Sequence, residues 1–317
     1  MLTLAGLTVA LLFGAARAPR VGISPVLGAS VFGSVLLLRA VASITAIAAL
    51  IVLIPQTDAF ATLTNWCLEE VYPPIGATLD ISGHAFGDLA LSLPALAITA
   101  LGVSAAFGIY RSTRRLSRWL RTNTLGRGPK GSFLVRAEGI LLATTGLLRP
   151  QVIVSPAALA QLDDYELAAG LRHEEGHIVR AHRFITLGGA LAVACSRLIP
   201  GSRRSFKDLA FQLERDADWF AISRAVDPAD LASAIHKAAI RGPRGPAHPA
   251  FAALDGSETA ERIRDLLREP ASDSPWPHRL CVSMILLSVG CVLGLAAALV
   301  SLTAKGLAEA HVTLPFG

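Results

Sequence analysis

The sequence predicts a mainly α-helical integral membrane protein. It should have about four transmembrane helices and a cytoplasmic domain, mostly helical with a small β-sheet. Three observations carry this. The chain of 317 residues is 52% hydrophobic and has a mean hydropathy of +0.51, too apolar for an ordinary soluble domain. Its basic residues cluster beside apolar stretches, as positive-inside orientation demands. Between the apolar stretches lies a polar segment around His173-Glu174-Glu175-Gly176-His177, which places two imidazoles one helical turn apart.

The elements follow in order. Leu2–Ala16 is apolar, but its positive charge (Arg17, Arg20) comes after the apolar run rather than before it. An uncleaved first span with its N-terminus outside fits this order better than a signal peptide. Residues 36–54 form a second span, with Arg39 snorkelling to the cytoplasmic surface and 24–35 an interfacial or tilted extension. Residues 55–88 form an outside loop with five acidic residues and no Lys or Arg. A third span covers 89–110. Arg111, Arg114, Arg115, Arg118 and Arg121 follow at once and place the next domain in the cytoplasm. With Leu116, Trp119 and Leu120 between them, they form an amphipathic basic segment suited to anionic lipid.

Beyond a loop at 126–131, short strands are expected at 132–136, 140–144 and 151–155, broken by Gly139, Gly146 and Pro150. Helices follow at 156–161 and 163–184, the second capped by Asp163 or Asp164. The apolar stretch 185–199 could be a buried helix, a re-entrant element or a shallow span. Further helices cover 205–226, 228–241 and 257–268, and a last span covers 280–303. The domains are thus 1–110 (membrane), 111–279 (cytoplasmic) and 280–317 (final span and tail). The four cysteines form neither a C-x-x-C pair nor a disulfide framework. No basic face has the context that nucleic-acid binding requires, so no direct nucleic-acid partner is expected.

The chemistry concentrates at the central motif. H-E-x-x-H should arise by chance about 0.01 times in a chain with this little His and Glu. On a helix, His173 and His177 can bind one Zn²⁺, and Glu174 can serve as general base. A catalytic zinc usually takes a third protein ligand. Glu214-Arg215-Asp216-Ala217-Asp218 supplies it: Glu214 and Asp218 share a helix face, which gives Glu214 as ligand and Asp218 as an acceptor for a ligand imidazole N–H. His182, about 140° from the ligand face on a continuous helix, is read as a solvated or interfacial residue. Arg262 reads equally well as a surface residue or as a partner for a carboxylate near the site.

The motif His173–His177 followed by Glu214-x-x-x-Asp218 resembles the integral-membrane gluzincin peptidases. Residues 150–224 are similar to the BlaR/MecR-type membrane metallopeptidases, the antirepressor peptidases of beta-lactam sensing. The similarity lies in Pro150–Ser155, Tyr165-Glu166-Leu167, the run from His173 through Arg180 to His182, and the apolar segment that ends at Pro200. Three spans before the catalytic part and one after also look like that family. His248-Pro249 followed by Glu261-Arg262-Ile263 is similar to the HtpX and CAAX prenyl-protease family. The resemblance implies a zincin-like catalytic domain with His173, His177 and Glu214 on Zn²⁺, Glu174 as base, Asp218 behind the ligands and His248 as a transition-state donor. It also implies endopeptidase activity in the cytoplasmic membrane, on a transcriptional repressor or on a damaged membrane protein. The chain ends at Gly317, without the penicillin-binding domain of the first family's sensors, so direct beta-lactam sensing is not expected. Two rival readings are a non-catalytic sensor with structural zinc, which would have no use for Glu174, and a transporter, which would need paired intramembrane charges.

Overall fold

The computed structural model describes residues 22–53, 62, 66, 69–70, 103–104, 107–108, 110–112, 114–197, 199–242, 256–268, 283, 290, 294 and 297. Residues 22–40 and 115–268 belong to one compact unit, and 41–53 with 110–112 and 114 to a second. The first unit is mostly helical with one four-stranded sheet.

The sheet is built from β1 (Thr124–Arg127), β2 (Phe133–Val135), β3 (Leu142–Thr145) and β4 (Gln151–Val154), in the order β1-β2-β4-β3. β2 and β4 run parallel, and the outer pairs are antiparallel. Alternation along the strands supplies two apolar faces. Val135, Ala143 and Ile153 pack on one side with Leu141, and Trp119 and Leu120 of the helical stretch 114–123 close over them. Trp119 and Leu120 of the expected amphipathic basic segment are thus partly buried against the sheet. β1 overlaps the loop expected at 126–131. Gly126 and the flanking arginine mask its strand pattern, and all four of its residues are exposed.

On the other face, Val154 and Leu142 meet α2 (Pro156–Gln161) and α3 (Asp164–Val179) in a cluster with Ala158, Leu162, Leu171 and Ala234. The Ser155 hydroxyl caps α2 by accepting from the Ala158 N–H at 3.1 Å and donates to the Gly139 carbonyl at 2.8 Å. α3 opens with a capping box: Asp163 Oδ1 accepts from the N–H groups of Tyr165 and Glu166, and Glu166 Oε2 accepts from Asp163 N–H. Expected as one helix to Phe184, the segment instead breaks. Ala181 adopts a left-handed conformation (φ 55°), and α4 (His182–Cys195) leaves at a bend of 62°. α5 (Ser202–Ile222) packs along α3, with α6 (Pro228–Arg241) and α7 (Gly256–Leu266) behind it. Gly176 makes the α3–α5 seam close: a Cβ there would stand 3.2 Å from the Ala217 Cα and 3.1 Å from the Phe220 ring.

Glu166 also clamps α3 to α6. Its carboxylate is buried and accepts from the Ser233 hydroxyl at 2.5 Å and from Lys237 Nζ at 2.6 Å. Burial would raise its pKa, but the bonds from Lys237, Ser233 and the Asp163 N–H lower it below the usual carboxylate value. A depressed folded-state pKa gives stability that is complete above the unfolded value of about 4.3 and is lost as pH falls through the folded value. Glu166→Gln is expected to cost about 1–3 kcal/mol near neutral pH and to flatten the acid limb of the stability curve. Urea unfolding of both proteins in detergent at several pH values checks this, and an equally steep acid limb in the variant would rule the clamp out.

α1 runs from Pro25 to Leu53, so the expected interfacial extension at 24–35 is part of the same helix as the expected span. Its first half lies in the first unit. Phe32, Leu36 and Ala40 pack with Ala192 of α4 and Leu209 and Leu213 of α5, and full burial of Phe32 or Leu36 contributes about 1.5–3 kcal/mol each. Gly28 permits close approach, since a Cβ there would meet the Gln212 side chain at 2.6 Å. Arg39 does not snorkel. It is 1% exposed, and its Nη1 donates to the Ser205 hydroxyl at 3.0 Å. The division at 110/111 drawn from hydropathy therefore differs from the observed packing at residues 22–40.

Among the described residues, Pro25–Ile44 of α1 is long and apolar enough to cross a membrane, and α3 with α4 meets the same test only as a bent pair. The expected spans at 2–16 and 280–303, and 89–110 apart from 103–104, 107–108 and 110, lie outside the described residues, save for single positions in the last span.

Candidate metal centre

Three helices build the site. α3 presents His173, Glu174 and His177, α5 presents Glu214 and Asp218 across the Gly176 seam, and α7 adds Arg262. His173 Nε2 and His177 Nε2 lie 3.2 Å apart. Glu214 reaches both, with Oε2 3.5 Å from His173 Nε2 and Oε1 3.5 Å from His177 Nε2. Among the described residues, these three form the group of side chains whose ligand atoms converge tightly enough to hold a metal ion.

The separations fit a small tetrahedral cation. Ligands about 2.0–2.1 Å from a zinc ion stand roughly 3.3 Å from one another, and the three observed edges are 3.2, 3.5 and 3.5 Å. The electrostatics agree. Burial would lower the His173 pKa, but the Asp218 and Glu214 carboxylates override it and push it up to about 10. The carboxylates thus favour positive charge where the ligand atoms converge, as a divalent cation would supply. Burial would raise the Glu214 pKa, yet Arg262, His177 and His173 hold it well below the usual carboxylate range. Asp218 is likewise lowered, against burial, by Arg262 and His173.

The surrounding shell is ordered. Asp218 Oδ1 lies 2.8 Å from His173 Nδ1. Arg262 grips Asp218 with two donors, at 3.0 and 2.8 Å, and Glu214 Oε2 with a third at 2.8 Å. Glu174 is buried beside the ligands, and the Thr144 hydroxyl on β3 sits 2.8 Å from its Oε2 and 3.0 Å from its carbonyl oxygen. His182 is also buried, with Nδ1 2.9 Å from His177 Nδ1 and Nε2 3.0 Å from Asp216 Oδ2.

The structure brings His173, Glu174, His177, Glu214 and Asp218 together. His248 lies outside the described residues. His182 is not solvated: the angular argument assumed a continuous helix, and the break at Ala181 turns its ring back under His177. Thr144 carried no signal in the sequence, and Asp216, between Glu214 and Asp218, was assigned no role there. Arg262 is a site residue, 5% exposed. Comparison with known proteins returns no match: no family model, no curated protein and no solved structure matches the chain.

Proposed function

We propose that this chain is a zinc-dependent endopeptidase held in a membrane, of the kind its resemblance to the BlaR/MecR-type peptidases implies. One observation carries the reading: His173, His177 and Glu214 converge at tetrahedral spacing with the buried carboxylate of Glu174 beside them. A purely structural site has no use for that carboxylate. Zinc held there would polarise the scissile carbonyl and stabilise the negative charge that develops on its oxygen. Glu174 takes a proton from water as the water oxygen bonds to the carbonyl carbon. It then returns that proton to the amine as the C–N bond breaks. Thr144 fixes the carboxylate through Oε2. β3 is an edge strand of the sheet and carries Thr144. An extended peptide added along its open edge would run past Glu174, which favours a protein substrate in an unfolded or loop conformation.

Membrane residence is supported by α1 and by the outer face of α4. Phe184, Ile185 and Leu191 there are 45%, 42% and 42% exposed, and no charged residue follows Arg183 until the helix ends. The arginines after the third expected span support a cytoplasmic site.

A second reading concerns the substrate. Arg262, part of the segment similar to the HtpX family, is tied to both Glu214 and Asp218, which favours a quality-control protease of membrane proteins. Cleavage of one defined repressor sequence supports regulatory proteolysis, and broad cleavage of unfolded membrane protein supports quality control.

The test of the activity uses full-length protein in detergent. Elemental analysis should give one zinc per chain, and cleavage of an unfolded test protein should stop on chelation and return with zinc. Correctly folded protein that holds no zinc, or that cleaves equally well after chelation, would overturn the proposal.

A further inference from the structure

We propose that His182 and Asp216 are positioning residues that set the ring orientation and proton placement of the metal ligand His177. The inference rests on the metal reading and adds to it a role for two residues outside the converging trio and Glu174.

The argument begins with hydrogen-bond direction. An ionised carboxylate only accepts, so the contact of His182 Nε2 with Asp216 Oδ2 at 3.0 Å places a proton on Nε2. A neutral imidazole with Nε2–H presents a lone pair at Nδ1. That lone pair faces His177 Nδ1 at 2.9 Å, so His177 donates from Nδ1 and keeps its own lone pair on Nε2. His177 Nε2 is the atom that meets His173 Nε2 and Glu214 Oε1. Two imidazoles in line thus carry the preference of one carboxylate to the ligand atom.

The two ligands are served differently. Asp218 touches His173 directly at 2.8 Å. Asp216 sits two residues earlier on α5, roughly 200° around that helix, and faces away from the ligand atoms. His182 spans the gap because the left-handed Ala181 folds the start of α4 back beneath α3. Asp216 is fixed in turn. It is 6% exposed, and its other oxygen lies 3.7 Å from Arg180 Nη1. Among the described residues, the charged and titratable groups that face His182 are therefore His177 from α3 and Asp216 from α5, with Arg180 beyond the carboxylate. Metal-ligating histidines generally depend on such outer partners, whose loss weakens metal binding about 10–100-fold.

Asp216→Asn tests the direction of the chain at nearly constant shape. With its amide oxygen turned to Arg180, the NH₂ group donates to His182 Nε2. The His182 proton then sits on Nδ1, the His177 proton moves to Nε2, and the ligand lone pair is lost. His182→Leu removes the relay. His182→Asn restores an acceptor close to the lost Nδ1. Zinc affinity is measured on full-length detergent-purified protein by competition with a chelating dye, and the visible absorption of the cobalt-loaded forms reports the ligand set. The expected result is about 10–100-fold weaker zinc binding in Asp216→Asn and His182→Leu, altered cobalt bands in both, and recovery of most of the affinity in His182→Asn.

A pair that merely ties the α3–α4 turn to α5 would lower the unfolding temperature of the metal-free variants while leaving zinc affinity and cobalt bands as in wild type, and that result overturns the proposal. Equal losses in His182→Asn and His182→Leu would do the same. Wild-type protein that binds no zinc removes the metal centre itself, and the relay with it.

Discussion

Glu174→Gln is expected to lower peptide-bond cleavage by about 10²–10⁴-fold, the usual contribution of a positioned general base, while leaving zinc content unchanged. The amide has the shape of the carboxylate and can still accept from the Thr144 hydroxyl at the Oε2 position, so the local packing is preserved. It cannot take a proton from water. Glu174 is outside the trio of His173, His177 and Glu214 whose atoms converge, so metal binding has no reason to fall. Cleavage of an unfolded test protein and elemental analysis on the same preparations check both halves. A variant that holds zinc and cleaves at the wild-type rate would remove Glu174 from the chemistry. Loss of zinc together with activity would move it into the ligand set.

Glu214→Gln should instead act on the metal. Glu214 is the one anionic member of the converging trio, and Arg262 with the two histidines keeps it ionised. Neutralising it removes a ligand charge and leaves two imidazoles with an amide oxygen. Loss of an outer partner already costs about 10–100-fold in metal affinity, so loss of the anionic ligand is expected to cost more than roughly 100-fold, about 2.7 kcal/mol. The fold should survive, because Arg262 keeps its two bonds to Asp218. Dye competition for zinc, with the unfolding temperature of the metal-free protein as control, decides it. Unchanged affinity with an unchanged fold would mean that the third ligand lies elsewhere.

The part of the site readable in the sequence is the part that repeats along helices. His173 and His177 share a face through i, i+4 spacing, as do Glu214 and Asp218, and helical geometry needs no knowledge of the fold. What escaped was set by contacts distant in the chain. Thr144 meets Glu174 across 30 residues, His182 meets Asp216 across 34, and Arg262 meets Asp218 across 44. No local period encodes such pairs. His182 was misread for a further reason: a single left-handed alanine ends the helix on which its direction was projected. The strands β2, β3 and β4 were legible because Gly139, Gly146 and Pro150 punctuate apolar runs, whereas β1 is fully exposed and lacks an apolar pattern. The packing of the first half of α1 was not legible because hydropathy tracks only apolar character. It does not distinguish a stretch facing lipid from one buried against α4 and α5.

The packing of residues 22–40 into the first unit bears on how the protein can be divided. A fragment started at the first arginine cluster would look, by charge and hydropathy, like a natural cytoplasmic domain. It would lack Phe32 and Leu36, leaving Leu209 and Leu213 bare along α5, and Arg215 would lose the Ile23 carbonyl oxygen, to which its Nη1 donates at 3.2 Å. Arg215 lies one residue from Glu214, so the damage falls on the helix that completes the candidate metal centre. Excision at that point yields an incomplete body with an open apolar trench. The missing piece is a single helical peptide from the far end of the chain, the natural candidate for complementation in trans.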